Sequence, residues 1–488
     1  MRILNGDMLT SHGNVRGRQA MLEILEAGLQ AADPYPNTRA LLRIEGNRLI
    51  VGKREYEPLG DPRAGDAIYD LSQGGRIFVF GAGKGVQRLA KAIEDVLGER
   101  LTGGHVIAKK GDDLICERIG VTFGQHPVPD EDCVRGCEII LSMTRDLRPE
   151  DLVFTVVSNG VSSLLTLPVP GISLEDVRRT TYIMQIERGA PTGDLNPIRN
   201  HLDQMKAGRL ATYLHPARAI HIFAFPPSTY ERLMHHNVWL HSLPGSSTFA
   251  DAIANLKKWD AWDAVPQSVR DHLLRADPTQ ETVKAATYEK LNFRIFGVMP
   301  PETGMVPTAM RKAEGLGFRS IHLAEDLRTE AGQTGPVIAA IARTIERCRE
   351  PFVPPCALFT HGELVVTVGQ AKGMGGRNQE YALSAALGIA GSERIIVGSV
   401  DSDGTDGPAH QFVEGLETVP ALAGGIVDGY TVQEAAALGI DIRQALTQHN
   451  TSPALWALKS GIVATRNISM NDLSVTLILG DTARLGEL

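Results

Sequence analysis

The chain has 488 residues, 43% of them hydrophobic and 22% charged, the make-up of a globular protein with room for two or more domains. Its 49 Lys+Arg against 57 Asp+Glu leave a formal charge of −8, which argues against a surface built to coat nucleic acid or an anionic membrane. The five cysteines (Cys116, Cys133, Cys137, Cys348, Cys356) form no CxxC pair, so neither a disulfide framework nor a zinc site is expected, and a reducing cytoplasm fits. No secretory leader is visible in the first 30 residues, and no apolar run reaches the ~20 residues of a membrane span.

Residues 16–32 carry apolar positions at helical spacing and stop at Asp33-Pro34. A hairpin follows around Asn47. The apolar run Arg76–Phe80 enters Gly81-Ala82-Gly83-Lys84-Gly85, and the next twelve residues, 86–97, read as a helix. Strands are expected at HVIAKK and IGVTF, a helix at 131–146, and a buried strand at 152–157 that runs into SNGVSS. Residues 225–292 hold three of the four tryptophans and read as a mostly helical bridge or lid. Helices recur at 307–315 and 329–348. The PFVPP stretch at 351–355 reads as a boundary before strands at 363–368, RIIVGSV and 474–479. Strands alternating with helices predict α/β architecture with mainly parallel sheets, whose sites lie at the carboxyl ends of the strands.

Several stretches have the composition of a site. In GAGKG, glycines permit close approach to a phosphate and Lys84 adds charge, yet the loop lacks both the Walker spacing and the dinucleotide fingerprint; a plain tight turn is the competing reading. Ser158-Asn159-Gly160-Val161-Ser162-Ser163 could hold an anion or merely cap a helix. The run Asn196–Arg209 is basic, and Arg199, Lys206 and Arg209 are expected to share roughly one helix face. In GMGGRNQE, Arg377 suits a carboxylate or phosphate, beside Asn378 and Glu380. Asp401-Ser402-Asp403-Gly404-Thr405-Asp406-Gly407-Pro408 offers three carboxylates suited to a hard cation or to an Asp-rich turn; it is no EF-hand, since the twelfth position is Phe412.

In this order, the motifs ADP (32–34), GAGKG, HPVPDE (126–131), PGISLED (170–176), the run from Asn196 to Ala211, GGRNQE (375–380) and DGTDGP (403–408) resemble the glycerate 2-kinase family. That family includes the tartrate-operon proteins named hydroxypyruvate reductases. The resemblance spans about residues 16–480. It implies two Rossmann-like α/β/α domains, taken as 1–290 and 291–488, with an inter-domain cleft, and ATP- and Mg²⁺-dependent phosphorylation of D-glycerate or a related hydroxy acid. The implied catalytic residues are Lys84, Arg377 and Asp406, and the metal ligands Asp403 and Asp406. Gly81, Gly83, Ser158, Asn159, Gly160, Ser162, Arg199, Lys206, Asn378 and Glu380 would bind substrate or nucleotide. A cytoplasmic enzyme, with a homodimer as one expectation and without nucleic-acid or membrane partners, completes the picture.

The sequence departs from the family where SGGGSA becomes SNGVSS and where PPSTYERLMHHNVWLHSLPGSST (226–248) replaces SDVPGDDPxxIASGPT. It departs again at 464–473, in place of TGPTGTNVNDL, and at HGEL (361–364), in place of GGET. These changes keep a second reading open: a reductase, isomerase or lyase of hydroxy acids on the same scaffold, with His126, His201 or His361 as acid or base. The reductase version lacks a dinucleotide fingerprint.

Overall fold

The structure is a computed structural model and describes residues 1–369, 371–407, 416 and 418–480. Gln370, Pro408 and Phe412, which belong to motifs quoted above, lie outside the described residues. The chain forms two compact units, residues 34–300 and residues 1–33 with 301–488. This division departs from contiguous halves meeting at 290/291, because the first 33 residues belong with the later unit.

The unit 34–300 opens with a three-stranded antiparallel sheet, β1 (Leu42–Glu45), β2 (Arg48–Val51) and β3 (Ala67–Asp70). Its main sheet holds β4 (Ile77–Ala82), β5 (Gly103–Lys109), β6 (Gly120–Gly124), β7 (Leu152–Val157), β8 (Arg218–Phe223) and β9 (Phe293–Gly297). The spatial order is β6-β5-β4-β7-β8-β9 and every neighbouring pair is parallel. β4 and β7 are buried along their whole length. Strands covered on both faces read as continuous apolar runs, which is why IFVF and LVFTVV show no polar alternation. The two-residue period still sorts their side chains: Phe78, Phe80, Val153 and Val157 enter one core, while Ile77, Val79, Phe154 and Val156 enter the other.

The other unit is built on β10 (Arg319–Leu327), β11 (Cys356–Gly362), β12 (Ile395–Asp401), β13 (Gly424–Asp428), β14 (Gly461–Ile462) and β15 (Asp472–Ile478). They run in the order β10-β11-β15-β12-β13-β14. The helices Val15–Ala31 and Met305–Gly315 cover one face through Met21, Leu25 and Ala309 against Ile396 and Val475. Ala331–Cys348 and Arg377–Ile389 cover the other, with Ile338 and Tyr381 against Ile395 and Val397.

In this unit the sheet is mixed. Only β10–β11 is parallel, and the four remaining pairs are antiparallel. Two of these pairs come from β15, which inserts between β11 and β12, antiparallel to both. The strand expected at 363–368 is absent. β11 ends at Gly362, opposite Asp472, where β15 begins. Val365 and Val368 therefore have no continuing neighbour there and stay about half exposed, Val365 making one isolated bridge to Glu330. PFVPP links the helix Ala331–Cys348 to β11 within this unit instead of marking its boundary.

The 225–290 segment belongs wholly to the first unit. Its helices Phe249–Lys258 and Gln267–Arg275 pack Phe249, Leu256, Val269 and Leu273 against Leu195 and Ile198 in a satellite core. The basic run Asn196–Arg209 is no single helix either. Thr192–His201 ends, and Arg209–Leu214 restarts only after Ala207 (φ +53°) and Gly208 (φ +87°), a left-handed pair that interrupts helical geometry. Arg199, Lys206 and Arg209 thus share no helix face.

Candidate active site

The order of the first main sheet is the doubly wound 3-2-1-4-5-6, which reverses direction between β4 and β7. Ligands of such sheets bind outside the carboxyl ends of the strands at that switch point. GAGKG follows β4 there and SNGVSS follows β7. The loops are knitted together: Lys84 N–H donates to the Asn159 carbonyl (2.7 Å) and Gly85 N–H to Ser158 Oγ (3.0 Å). A Cβ on Gly81 would strike the Val156 carbonyl, and one on Gly83 would strike Ser158. The two glycines therefore serve the approach of strand to strand, and the amides of Lys84 and Gly85 are already engaged. The loop's charge is the ammonium of Lys84. Gly160 (φ +83°) borders it, since a Cβ there would lie 2.9 Å from Lys84 Cγ and 3.1 Å from the His126 ring.

Ser162 begins the next turn and meets a residue that sequence reasoning missed: its Oγ lies 2.8 Å from His241 Nε2. The two are 79 positions apart and no motif links them. His241 is buried, and burial first, then Lys206 and Arg199, hold its pKa well below the usual imidazole value. Lys206 is 1% exposed and ion-paired to Asp203 at 2.6 Å, with further bonds to Thr166 Oγ1 and the Leu165 carbonyl. Burial lowers its pKa and Asp203 opposes that shift. Arg209 donates to the carbonyls of Asn200, Lys206 and Gln280. Both side chains brace the fold. Arg199 differs: it is 6% exposed, its hydrogen bond runs from Nη2 to Gln185 Oε1 (3.0 Å), and among the described residues it has no carboxylate partner. Burial alone lowers its pKa to about 10.

In the second unit, a Cβ on Gly376 would collide with Asp406, so the glycine lets the loop press against that residue. Asp406 anchors the helix start: Oδ1 accepts from Asn378 N–H (3.2 Å) and Oδ2 from Gln379 N–H (2.9 Å). Burial pushes its pKa up to about 6, against the pull of Arg377. Arg377 Nε donates to Asp472 Oδ2 (2.7 Å) and Nη2 to Asp401 Oδ2 (2.8 Å), and these carboxylates keep it charged in spite of burial. Asn378 is buried and its amide is spent on Asp406, Asp472 and Ser399. Glu380 pairs with His449 Nδ1 at 2.7 Å, and burial raises its pKa. Asp403 Oδ1 accepts from Thr405 N–H and Oγ1. Among the described residues, no three His, Cys, Asp or Glu side chains group as metal ligands. Of the alternative acid–base histidines, His201 has both ring nitrogens occupied, by the Pro197 carbonyl and Glu281, and is a brace. His361 Nδ1 is held by the Asp472 carbonyl.

Residues 20–224 match a family described as a domain of unknown function (DUF4147), and residues 356–471 match the MOFRL family. Over 469 residues, 96% of this chain and 98% of the relative, the sequence is 31% identical to the glycerate 2-kinase of Pyrococcus horikoshii. It is 32% identical over 419 residues to the D-glycerate 2-kinase of Thermotoga maritima, covering 83% of this chain and 91% of that one. The crystal structure of a Thermotoga maritima glycerate kinase matches with a TM-score of 0.70 at 29% identity, over 94% of this chain and 99% of that one. These relationships define an α/β phosphotransferase. Within that class, the chain belongs to the glycerate 2-kinase family. No helix among the described residues is long and apolar enough to cross a membrane.

Proposed function

We propose that the chain transfers the terminal phosphoryl group of ATP to a hydroxyl of D-glycerate or a closely related small hydroxy acid, in the cytoplasm. The observation that supports it most is Lys84 at the switch point of a doubly wound sheet, in a chain that aligns with glycerate 2-kinases over nearly its whole length. Phosphoryl transfer demands positioning and neutralisation of charge more than covalent chemistry. Lys84 supplies a point charge to the transferring group. In the other unit, Arg377 is a cation held in place by Asp401 and Asp472.

Mg²⁺ fits the second unit in kind, since Asp401, Asp403 and Asp406 supply hard carboxylate oxygen donors at and just after the end of β12. We assign the metal to Asp403, and we assign Asp406, which anchors two helix-start amides, to positioning Arg377. When bound, Mg²⁺ supplies charge neutralisation at phosphate oxygens, which complete its shell beyond one or two carboxylates. Release of ADP, followed with a panel of hydroxy acids with and without Mg²⁺, tests the proposal. Turnover is expected with D-glycerate or a close relative. Absence of ATP binding together with reduction of a keto acid by NADH or NADPH would replace it.

A further inference from the structure

Arg199 carries a charge that the protein itself does not neutralise. A buried guanidinium without a carboxylate costs several kcal/mol unless something answers it. Lys206, equally buried, has Asp203, whereas Arg199 has one amide oxygen, that of Gln185. That amide comes from the π-helical stretch Tyr182–Glu187, a rare geometry that is frequent at functional sites.

Two more buried groups stand unspent near it. Asn196 precedes Arg199 by three positions on the helix Thr192–His201, hence on the adjoining face, and neither of its amide atoms has a hydrogen-bond partner. His241, within electrostatic reach of Arg199, uses Nε2 on Ser162 and leaves Nδ1 buried and unpartnered. In the tautomer whose Nε2 accepts from the Ser162 hydroxyl, the neutral ring carries its proton on Nδ1. Guanidinium, amide and imidazole N–H groups thus offer donors around a single uncompensated positive charge.

We propose that Arg199, Asn196 and His241 form the subsite that receives the carboxylate of the hydroxy-acid substrate, with Gln185 as a positioning residue. This rests on the kinase reading above and names the part of the substrate that the reading leaves unassigned. One unmatched positive charge answers a monoanion, and a guanidinium grips a carboxylate through two parallel N–H bonds. A phosphate carries more charge than this cluster balances. The subsite is a receptor charged in advance, so ligand binding relieves a cost already present in the free protein.

The test uses the full chain without nucleotide, by thermal melting and calorimetric titration. The probes are D-glycerate, glycerol (which lacks the carboxylate), inorganic phosphate and ATP with Mg²⁺. D-glycerate is expected to raise the melting temperature of the wild type and glycerol to leave it unchanged. R199M should melt at or above the wild-type temperature when free, and should lose the D-glycerate shift while keeping that of ATP. N196A and H241Q should each weaken D-glycerate about 10-fold, the worth of a hydrogen bond to a charged group, and raise KM more than they lower kcat. R199K should recover part of the affinity. The proposal is overturned if R199M still binds D-glycerate, if it loses ATP or phosphate instead, or if the free variant melts well below the wild type. D-glycerate bound through Arg199 without ADP release would sink the kinase reading and leave the subsite standing. Turnover with an unchanged KM in R199M would do the reverse.

Discussion

Arg377 is 22% exposed and sits between Asp401 and Asp472, whereas Arg199 is 6% exposed and, among the described residues, hydrogen-bonds to the amide of Gln185 without a carboxylate partner. The more accessible cation has the acids and the more deeply buried one has none. If burial alone decided where carboxylates are placed, the order would be reversed. The contrast shows two uses of the same side chain. In one unit the charge is locked between two carboxylates of the protein itself. In the other it is left for an anion from outside.

The harshest way to break this comparison is R377M. Asp401 and Asp472 would each lose a partner at positions almost out of water, and removing one member of a buried pair costs about 3–5 kcal/mol. Turnover should fall by at least about 100-fold, the usual effect of deleting a preorganised electrostatic donor. Urea midpoints and ADP release measure the two effects. A variant as stable as the wild type would mean that the acids are not there for Arg377.

K206M extends the contrast within the first unit. Lys206 is 1% exposed and paired with Asp203 at 2.6 Å, so its loss should cost about 3 kcal/mol, where R199M costs nothing. D203N/K206M should recover part of that loss, because no unpaired charge remains. Thermal melts of the wild type, D203N, K206M and D203N/K206M give the coupling directly. A K206M protein that melts like R199M would erase the distinction between the two cations.

Asp406 provides a pH test of the acidic side. Its pKa is raised from 3.8 to about 6 by burial, so the folded state holds a proton that the unfolded state has released. Its stabilising contribution is therefore complete below about pH 3.8 and is lost as pH rises through 6, a fall of about 2–3 kcal/mol. The raised pKa of Glu380 acts in the same direction, so the comparison is with D406N. Urea midpoints from pH 4 to 7 should slope downward for the wild type more steeply than for the variant. Parallel slopes would show that Asp406 does not titrate there.

Much of this frame is legible from the sequence because local physics dominates it. The strand 152–157 and the helix 86–97 stand where apolar runs and helical spacing put them, and the two small-residue loops fall at the switch point. What periodicity could not reveal is long-range pairing. The β-branched run 363–368 has strand propensity but no partner, because β15 starts only at Asp472. Nothing local announces that β15 will return to split β11 from β12, or that His241 will meet Ser162. Arg199 and Lys206 look alike as charges in one basic run. Asp203, three residues before Lys206, was the available signal that one of them would be neutralised from within.

The smallest expected effect sharpens the comparison most. Q185A removes the amide oxygen that Arg199 Nη2 contacts at 3.0 Å. A hydrogen bond to a charged group is worth about 1.5–3 kcal/mol when its donor is left unmet, and the lower end applies if water reaches the cavity left by the amide. The free protein should therefore lose about 1.5 kcal/mol. The saturated protein should lose less, because a bound carboxylate satisfies the same guanidinium. D-glycerate should stabilise Q185A more than it stabilises the wild type, which by linkage is tighter binding, even as a less constrained Arg199 holds the substrate less productively and lowers kcat. That pairing of signs, a larger ligand-induced shift with a lower kcat, follows only if Gln185 holds a guanidinium meant for an anion. An equal loss with and without ligand would make Gln185 and Arg199 a structural contact.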